Sequence, residues 1–226
     1  MSSAQEPRSA MGDYWREVLP DWEDSSYNGG KNARGIERIG SRFRQHIIDR
    51  QETCIRDLEP YLKQANVVEI GCASGDLTLR LVDAGPRHIL GLDVAEKAIQ
   101  QAQVRATSLN LEESRIEFRQ HLIGDRLNWT ESVDIVIGLG ITEYVHKPDL
   151  VKFFQDMRPT YFFLSFDEKV VNFQKVLHLA YRQMKGLPYY IRYSQAEIIT
   201  LMESAGFTQV RAFRDGANAF VTNLPN

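Results

Sequence analysis

The sequence predicts an α/β protein built on a doubly wound, mostly parallel seven-stranded sheet that ends in an antiparallel hairpin and follows an N-terminal helical extension. Three observations predict this class. Short apolar runs alternate with helical patterns from Asn66 to Leu164, as in parallel strands joined by right-handed helical crossovers. Two further strand patterns flank Asp215-Gly216, a hairpin turn signal. Helical spacing also fills much of the chain before Asn66.

Length and composition limit the possible classes of protein. At 226 residues, the chain fits one sizeable α/β domain, and its net charge of −3 gives no global reason to expect nucleic acid or an anionic membrane as partner. No apolar run approaches the roughly 18 residues of a membrane helix, and Met1 to Gly12 lacks a signal-peptide core. Cys54 and Cys72 indicate neither a disulfide framework nor a zinc cluster, so we expect a cytoplasmic protein.

The N-terminal region, residues 1–63, is predicted to form a helical cap. The residues from Asp13 to Trp22 include two tryptophans at positions suited to a short amphipathic helix. Ser25 to Lys31 contains two consecutive glycines and is predicted as a loop. Apolar residues then follow helical spacing from Ile36 until Pro60, where we expect the helix to be interrupted.

Part of this region is basic. Six Lys and Arg residues stand against two acids between Lys31 and Arg50. Arg34, Arg38 and Arg42 recur every four residues and therefore share a helical face. They form either a solvated face or a surface where one or two guanidinium groups meet a carboxylate or phosphate of a ligand.

Residues 64–166 are predicted to form the core of the sheet. The first strand pattern, Val67 to Ile70, is apolar and β-branched, as in a strand buried on both faces. The other predicted core strands are His88–Leu92, Ile116–Phe118, Val133–Ile137 and Tyr161–Leu164, and the predicted helices are Asp76–Val82, Ala95–Leu109 and Pro148–Met157.

The last two segments depart from this alternation. In residues 167–193, helical spacing from Val170 to Met184 leads into an aromatic stretch, and we assign this insert to the substrate side. Residues 194–226 begin with Ser194-Gln195-Ala196-Glu197, a capping box that starts a new helix. The predicted hairpin strands after that helix are Thr208–Phe213 and Ala217–Leu224.

The turn after the first strand carries the strongest functional signal. Gly71, Ala73 and Gly75 alternate with other small residues and lead into helical spacing. Such a turn lets a ligand approach unpaired N–H groups at a helix N-terminus, although it also serves plain packing. Glu69 lies at the end of the buried strand, where a carboxylate is costly unless a cation or a hydrogen-bond donor meets it.

Asp93 ends the next predicted strand, beside this turn. A carboxylate there accepts hydroxyl protons from a ribose lying across the strand ends, or it caps the helix that follows. The pattern therefore predicts a nucleotide-like ligand. A nicotinamide dinucleotide is disfavoured, because its fingerprint requires a glycine where this chain has Asp76, and the phosphate-binding P-loop motif does not occur.

These residues resemble the class I S-adenosylmethionine-dependent methyltransferases. Glu69-Ile70-Gly71-Cys72-Ala73-Ser74-Gly75 is similar to the acidic-x-Gly-x-Gly-x-Gly motif of the family, with Ala73 replacing the middle glycine. Asp93 matches the ribose-binding acid, and Asp134 stands where the family usually has an aspartate opening the fourth strand. Residues 138–145 resemble the loop beside the transferable methyl in small-molecule members. The resemblance spans Asn66 to Leu224 and implies a Rossmann-like methyltransferase fold.

The resemblance implies S-adenosylmethionine as cofactor, with S-adenosylhomocysteine as product. Glu69 would meet the amino group of the methionine moiety, Asp93 the ribose and Val94 the adenine. Leu122 stands where the family often has an acid for the adenine amine; it can pack on the ring, and the group that binds the amine stays open. The cofactor would also approach the backbone closely at Gly71, Ala73, Gly75 and Gly138.

The resemblance also places the methyl group near the loop after the fourth strand. The sulfonium already activates this methyl, so the protein has to align a nucleophile, exclude water and accept a proton where the nucleophile requires it. Glu143 and His146 are the candidate proton acceptors, and the alternative for His146 is a solvated loop residue. Tyr144 is expected to form a wall of the site.

We expect the acceptor to be a small metabolite, aromatic or carboxylate-bearing, that is methylated on O or N. Enzymes that methylate base amines or glutamine amides typically carry Asn/Asp-Pro-Pro-Tyr/Phe after the fourth strand, and this chain does not. The alternatives are an RNA or protein methyltransferase and a non-catalytic S-adenosylmethionine-binding protein; the oligomeric state is not predicted. Aromatic residues that either close the pocket or only pack the covering segments are Tyr14, Trp15, Trp22, Tyr27, Tyr189, Tyr190 and Tyr193.

Overall fold

A computed structural model describes residues 10–17, 37–170 and 189–225, apart from the side chains of residues 37–44. Residues 10–17 form helix α1. The other helices are α2 (Glu37–Leu62), α3 (Asp76–Leu81), α4 (Glu96–Ser108), α5 (Lys147–Met157) and α6 (Gln195–Ser204). The strands are β1 (Asn66–Ile70), β2 (His88–Asp93), β3 (Ile116–Gln120), β4 (Ile135–Gly138), β5 (Tyr161–Phe166), β6 (Arg211–Asp215) and β7 (Asn218–Thr222).

The strands form one seven-stranded sheet in the order β3-β2-β1-β4-β5-β7-β6. Strands β1 to β5 are parallel to their neighbours, whereas β7 runs antiparallel to both β5 and β6. The predicted fold class is therefore confirmed. Strand β1 pairs with β2 on one side and β4 on the other, so the chain order reverses between β1 and β4. In sheets of this kind, ligands bind in the crevice at the carboxyl ends of the strands where the order reverses.

Both faces of the sheet are covered by helices. All five residues of β1 are buried, and successive residues enter opposite layers: Val67 packs in one core and Val68 in the other. Leu58 of α2, Leu81 of α3 and Ile99 of α4 belong to the first core. Phe154 of α5 and Met202 of α6 belong to the second. The alternation of side chains along a strand thus joins two apolar layers through one short segment.

One predicted boundary is wrong. Helix α2 does not stop at Pro60 but continues to Leu62. Proline removes one backbone donor, but Leu58 and Leu62 are both fully buried in the core, and this packing holds the last turn in place.

Other predicted elements are confirmed with ends that differ by a few residues. Strand β3 continues to Gln120 and β5 to Phe166, while β4 begins only at Ile135 and β6 only at Arg211. Strand ends depend on pairing with neighbours distant in sequence, which a local pattern does not contain. The predicted loop at 25–31, the helix at 170–184, and residues Trp22, Tyr27 and Arg34 lie outside the described residues.

The division of the chain into a helical cap, a sheet core, an insert and a C-terminal segment stays a prediction. The four segments are 1–63, 64–166, 167–193 and 194–226. Within the ranges described above, no helix is long and apolar enough to cross a membrane.

The capping box at the start of α6 is formed as predicted and supports a stability test. The Glu197 N–H donates to Ser194 Oγ at 3.2 Å, and Glu197 Oε2 accepts from the Ser194 N–H at 2.7 Å. We expect Ser194→Ala to lower the free energy of unfolding by about 1 kcal/mol in urea denaturation, because an N–H at the helix start loses its acceptor. Ser204→Ala, at the exposed end of the same helix, is the control and should cost less than about 0.5 kcal/mol. Equal losses would contradict the capping role.

Candidate functional site

The turn after β1 lines the crevice at the carboxyl ends of the strands. Gly71 and Gly75 have φ angles of +72° and +80°, in the left-handed region that glycine adopts without strain. A Cβ at Gly75 would lie 2.8 Å from the Phe118 ring, so this position also has no room for a side chain. Ala73 adopts φ +49° although it carries a Cβ, which costs about 1–2 kcal/mol. The turn is therefore held in its shape by neighbouring contacts.

One of those contacts comes from Asp93 at the end of β2. Its Oδ2 accepts from the Ala73 N–H at 3.0 Å, and its Oδ1 accepts from the Ala95 N–H at 2.9 Å. The carboxylate thus ties the turn after β1 to the turn after β2. The alternative role of Asp93 as a helix cap is wrong, because Ala95 is the N-cap residue of α4 and no side chain that the structure describes caps that helix start. The ribose role stays a prediction, and the carboxylate oxygens can accept further hydrogen bonds.

Glu69 is a buried carboxylate close to this turn. It is only 4% exposed, and its Oε2 accepts from the Thr78 hydroxyl of α3. Burial raises the pKa of Glu69 to about 8, and the nearby negative charges of Asp76 and Asp93 add to the shift. The Thr78 bond acts in the opposite direction without cancelling it. A cation placed beside Glu69 would favour its ionised form.

Helix α1 covers the neighbouring end of the crevice. At Gly12, a Cβ would lie 3.4 Å from Val94 and 3.7 Å from Leu122, which is ordinary van der Waals distance, so α1 passes close to both side chains. Trp15 and Ala73 both pack against the small cluster of Ala95 and Ala98. The structure therefore brings Val94 and Leu122 together under α1, within reach of the turn after β1.

The loop after β4 closes the other side of the crevice. Gly138 is tightly enclosed, because a Cβ there would lie 2.8 Å from both Ile70 and Ile141. Ile141 also approaches Gly71, where a Cβ would lie 3.2 Å from it. The Ser165 hydroxyl accepts from the Gly140 N–H at 2.7 Å and fixes the loop to β5. Close packing therefore explains the glycine at 138.

Glu143 and His146 differ in their surroundings. Glu143 is 6% exposed, and its Oε2 accepts from Thr142 Oγ1 at 3.0 Å. Burial raises the pKa of Glu143, although the positive charge of Arg50 partly offsets this effect. The His146 ring stacks on Tyr189 with 4.0 Å between ring centroids, and its buried Nε2 has no hydrogen-bond partner among the residues that the structure describes.

Aromatic side chains from three separate segments meet over the β4 loop. Trp15 contacts Tyr14 and Tyr144, with ring centroids 5.5 Å and 4.8 Å apart. Tyr144 in turn lies 5.5 Å from Tyr190, whose hydroxyl donates to Asp167. These four rings, Tyr14, Trp15, Tyr144 and Tyr190, are called the aromatic cluster below. Tyr193 does not join it: its side chain is fully buried in the second core.

Several site residues were not singled out by the sequence. Thr78 meets Glu69, Ile141 fills the space between β1 and β4, and Asp167 receives the Tyr190 hydroxyl. Arg50 was seen only as one of six basic residues, yet its guanidinium lies against Gly140. Nothing in the local pattern distinguishes these residues, because each contact forms only once separate elements pack against one another.

Comparison with known proteins gives one family match. Residues 67–160 match the family described as "Methyltransferase domain". Ribosomal protein L11 methyltransferase of Dictyoglomus turgidum is 32% identical over 133 residues, which is 58% of this chain and 42% of that protein. The protein of the same name from Listeria monocytogenes is 32% identical over 130 residues, 57% of this chain and 40% of the relative. The chain thus spans about two fifths of the length of these relatives.

The fold also matches solved structures over nearly the whole chain. Magnesium protoporphyrin IX methyltransferase from Synechocystis PCC 6803, crystallised with S-adenosylhomocysteine, superposes with a TM-score of 0.72 and 17% identity. The match covers 95% of this chain and 97% of that one. Because the identity is only 17%, this comparison bears on the fold alone.

The raised pKa of Glu69 predicts a pH-dependent stability. Between its ordinary pKa and about 8, the folded protein keeps a proton on Glu69 that the unfolded chain has released. The free energy of unfolding should therefore fall with rising pH, relative to Glu69→Gln, by up to about 1.4 kcal/mol per pH unit. Urea denaturation from about pH 5.5 to about pH 8.5 measures the difference.

Thr78→Val is the matched control for that measurement. It keeps the carboxylate and removes the hydroxyl that lowers the pKa of Glu69, so the fall in stability with pH should persist. A constant difference between wild type and Glu69→Gln over this pH range would contradict the prediction.

Proposed function

We propose that this chain is a class I S-adenosylmethionine-dependent methyltransferase, and that it transfers the methyl group of S-adenosylmethionine to an oxygen or nitrogen of a small acceptor. The methyltransferase-domain match over residues 67–160 and the fold support this proposal. One observation carries the proposal: Asp93 holds the turn after β1 in place beside the buried Glu69, at the point where the strand order reverses. This crevice is the expected position of a nucleotide-like ligand.

The residues around the crevice fit this cofactor. The amino group of its methionine moiety is a cation, and a cation beside Glu69 offsets the cost of a buried carboxylate. We assign Asp93 to the ribose hydroxyls and Val94 and Leu122 to the faces of the adenine, under α1. The remaining cofactor contacts are assigned to the main chain at Gly71, Ala73, Gly75 and Gly138.

The cofactor, when bound, supplies a methyl group already activated by its sulfonium. The chain then has to align the acceptor, exclude water and hold a proton. We assign the role of proton acceptor to His146. Its buried Nε2 has no hydrogen-bond partner in the described part of the chain, and its ring stacks on Tyr189. Glu143 is the second candidate, since its raised pKa makes it a stronger base than an ordinary carboxylate.

The aromatic cluster supports a planar or apolar acceptor. Its rings lie beside the β4 loop and come from α1, from that loop and from residue 190. The indole N–H of Trp15 is buried and has no hydrogen-bond partner among the described residues, so an acceptor with a polar group there would satisfy it. We assign Tyr189 to the same wall through its stacking on His146.

A protein acceptor is the second candidate. The relatives at 32% identity are named ribosomal protein L11 methyltransferases, which supports a protein substrate. The match covers only 42% and 40% of those proteins, so more than half of each has no counterpart in the alignment. For this reason we place the small acceptor first.

Transfer of labelled methyl groups tests the choice of acceptor. The purified chain is incubated with methyl-labelled S-adenosylmethionine and a cell extract, which is then separated into small-molecule, protein and RNA fractions. We expect the label in the small-molecule fraction, and less of it in a parallel reaction with Asp93→Ala at a cofactor concentration below saturation. Label in protein or RNA would overturn the acceptor class, and no label in any fraction would indicate a binding protein without turnover.

The ribose role of Asp93 predicts a loss of cofactor affinity. Asp93→Ala should weaken S-adenosylhomocysteine binding by about 1–3 kcal/mol, because bonds to a charged acceptor are lost. Isothermal titration calorimetry measures the change. Asp134→Asn is the control: Asp134 Oδ2 also accepts a backbone N–H, from Asn66 at 2.8 Å, but at the amino ends of the strands. That variant should lose stability and keep its affinity, and wild-type affinity in Asp93→Ala would refute the ribose assignment.

A further inference from the structure

Thr142 connects the loop after β4 to the end of β5. Its Oγ1 lies 2.9 Å from the Ser165 carbonyl oxygen and 3.0 Å from Glu143 Oε2. All three residues are buried. Buried polar groups form hydrogen bonds almost without exception, and both distances are in the range of such bonds. Each of the two bonds therefore requires a proton between its oxygen atoms.

The hydroxyl of Thr142 has only one proton for these two bonds. A threonine hydroxyl can donate once, and it has two lone pairs with which it accepts. A carbonyl oxygen can only accept, so the bond to Ser165 uses the proton of Thr142. An ionised carboxylate also can only accept, which would leave no proton for the bond between Thr142 and Glu143. A protonated Glu143 supplies the missing donor.

The surroundings of Glu143 favour the protonated form. Burial has the largest effect and raises its pKa, and the negative charge of Asp167, just after β5, adds to this effect. The backbone N–H of Glu143 and the guanidinium of Arg50 on α2 act in the opposite direction without cancelling the rise. Tyr193, before α6, also faces Glu143, and burial raises the pKa of this phenol above its ordinary value. It therefore adds no charge at neutral pH.

Glu143 is also part of the framework that holds the loop after β4. Its backbone carbonyl accepts from the Ile191 N–H at 2.9 Å. Its side chain is linked through Thr142 to Ser165 in β5. His146 follows three residues later, at the N-cap position of α5. A carboxylic acid whose proton is bound to a neighbouring hydroxyl is a weak base, but it is well placed to fix the loop that carries His146.

We propose that Glu143 is a neutral carboxylic acid that donates its proton to Thr142 Oγ1, and that it positions the loop after β4 instead of accepting a proton during methyl transfer. The inference rests on the proposed function, in which His146 and Glu143 are the two candidate proton acceptors. It assigns that step to His146 and makes Glu143 a positioning residue.

Thr142→Val distinguishes the two possible directions of the hydrogen bond. Valine has nearly the shape of threonine but lacks the hydroxyl. If Glu143 is the donor, the hydroxyl stabilises the neutral form, and its loss lowers the pKa of Glu143. If Thr142 is the donor, the hydroxyl stabilises the ionised form, and its loss raises the pKa of Glu143. Thr142→Ser keeps the hydroxyl and is the matched control.

The measurement is a pH titration by NMR of protein labelled with carbon-13 at the glutamate carboxyl groups. The resonance of Glu143 is the one missing from Glu143→Gln. We expect it to show a protonated acid at neutral pH in wild type. Its ionisation constant should rise about tenfold in Thr142→Val and stay near the wild-type value in Thr142→Ser. If Glu143→Gln does not fold, the resonance that moves between the two Thr142 variants identifies Glu143.

Urea denaturation gives an independent measurement. The folded protein would keep a proton on Glu143 that the unfolded chain releases above the ordinary pKa of glutamate. The unfolding constant of wild type, divided by that of Glu143→Gln, should therefore rise with pH by up to about tenfold per pH unit. The rise ends where the folded protein also releases this proton.

Two results would overturn the inference. One is an ionised Glu143 in wild type at neutral pH, and the other is a higher pKa of Glu143 in Thr142→Val. Neither measurement requires a cofactor or a methyl acceptor, so both remain decisive if the proposed function fails. An ionised Glu143 would in turn leave the proposed function intact, with both candidate proton acceptors still open.

Discussion

The crevice depends on the carboxylate of Asp93. This one side chain accepts a backbone N–H from the turn after β1 and another from the turn after β2. Ala73 is thereby held in a left-handed conformation that an alanine does not favour. The energetic cost of this conformation is offset by contacts from the neighbouring strand, so the shape of the turn is a property of the pair of strands and not of the turn sequence alone.

Local patterns predicted most of the fold. The alternation of strands and helices, the capping box at Ser194 and the hairpin around Gly216 each depend on residues close in sequence, and all three are present. Pro60 failed as a stop signal because the buried Leu58 and Leu62 hold the last turn of α2. Tertiary packing therefore set the C-terminal end of α2, although the local propensity of proline favours an earlier end.

The candidate site likewise has residues that local patterns predicted and contacts that they did not predict. The sequence predicted that Glu69, Asp93 and the small-residue turn lie at neighbouring strand ends, and the structure brings them together there. It did not indicate that Thr78 would meet Glu69, nor that Arg50 would lie over Gly140. Both contacts join a helix to a strand end or loop, and their partners are identified only once the helices pack on the sheet.

The walls of the site are built separately from its floor. The floor consists of strand ends embedded in the two large cores, whereas Tyr14, Trp15, Tyr189 and Tyr190 belong to neither core. Trp15 packs instead on a small cluster with Ala95 and Ala98. Exchanges among these aromatic residues therefore do not disturb the buried layers that stabilise the sheet. The surface above the strand ends can therefore change its shape and polarity while the strand ends beneath it keep their positions.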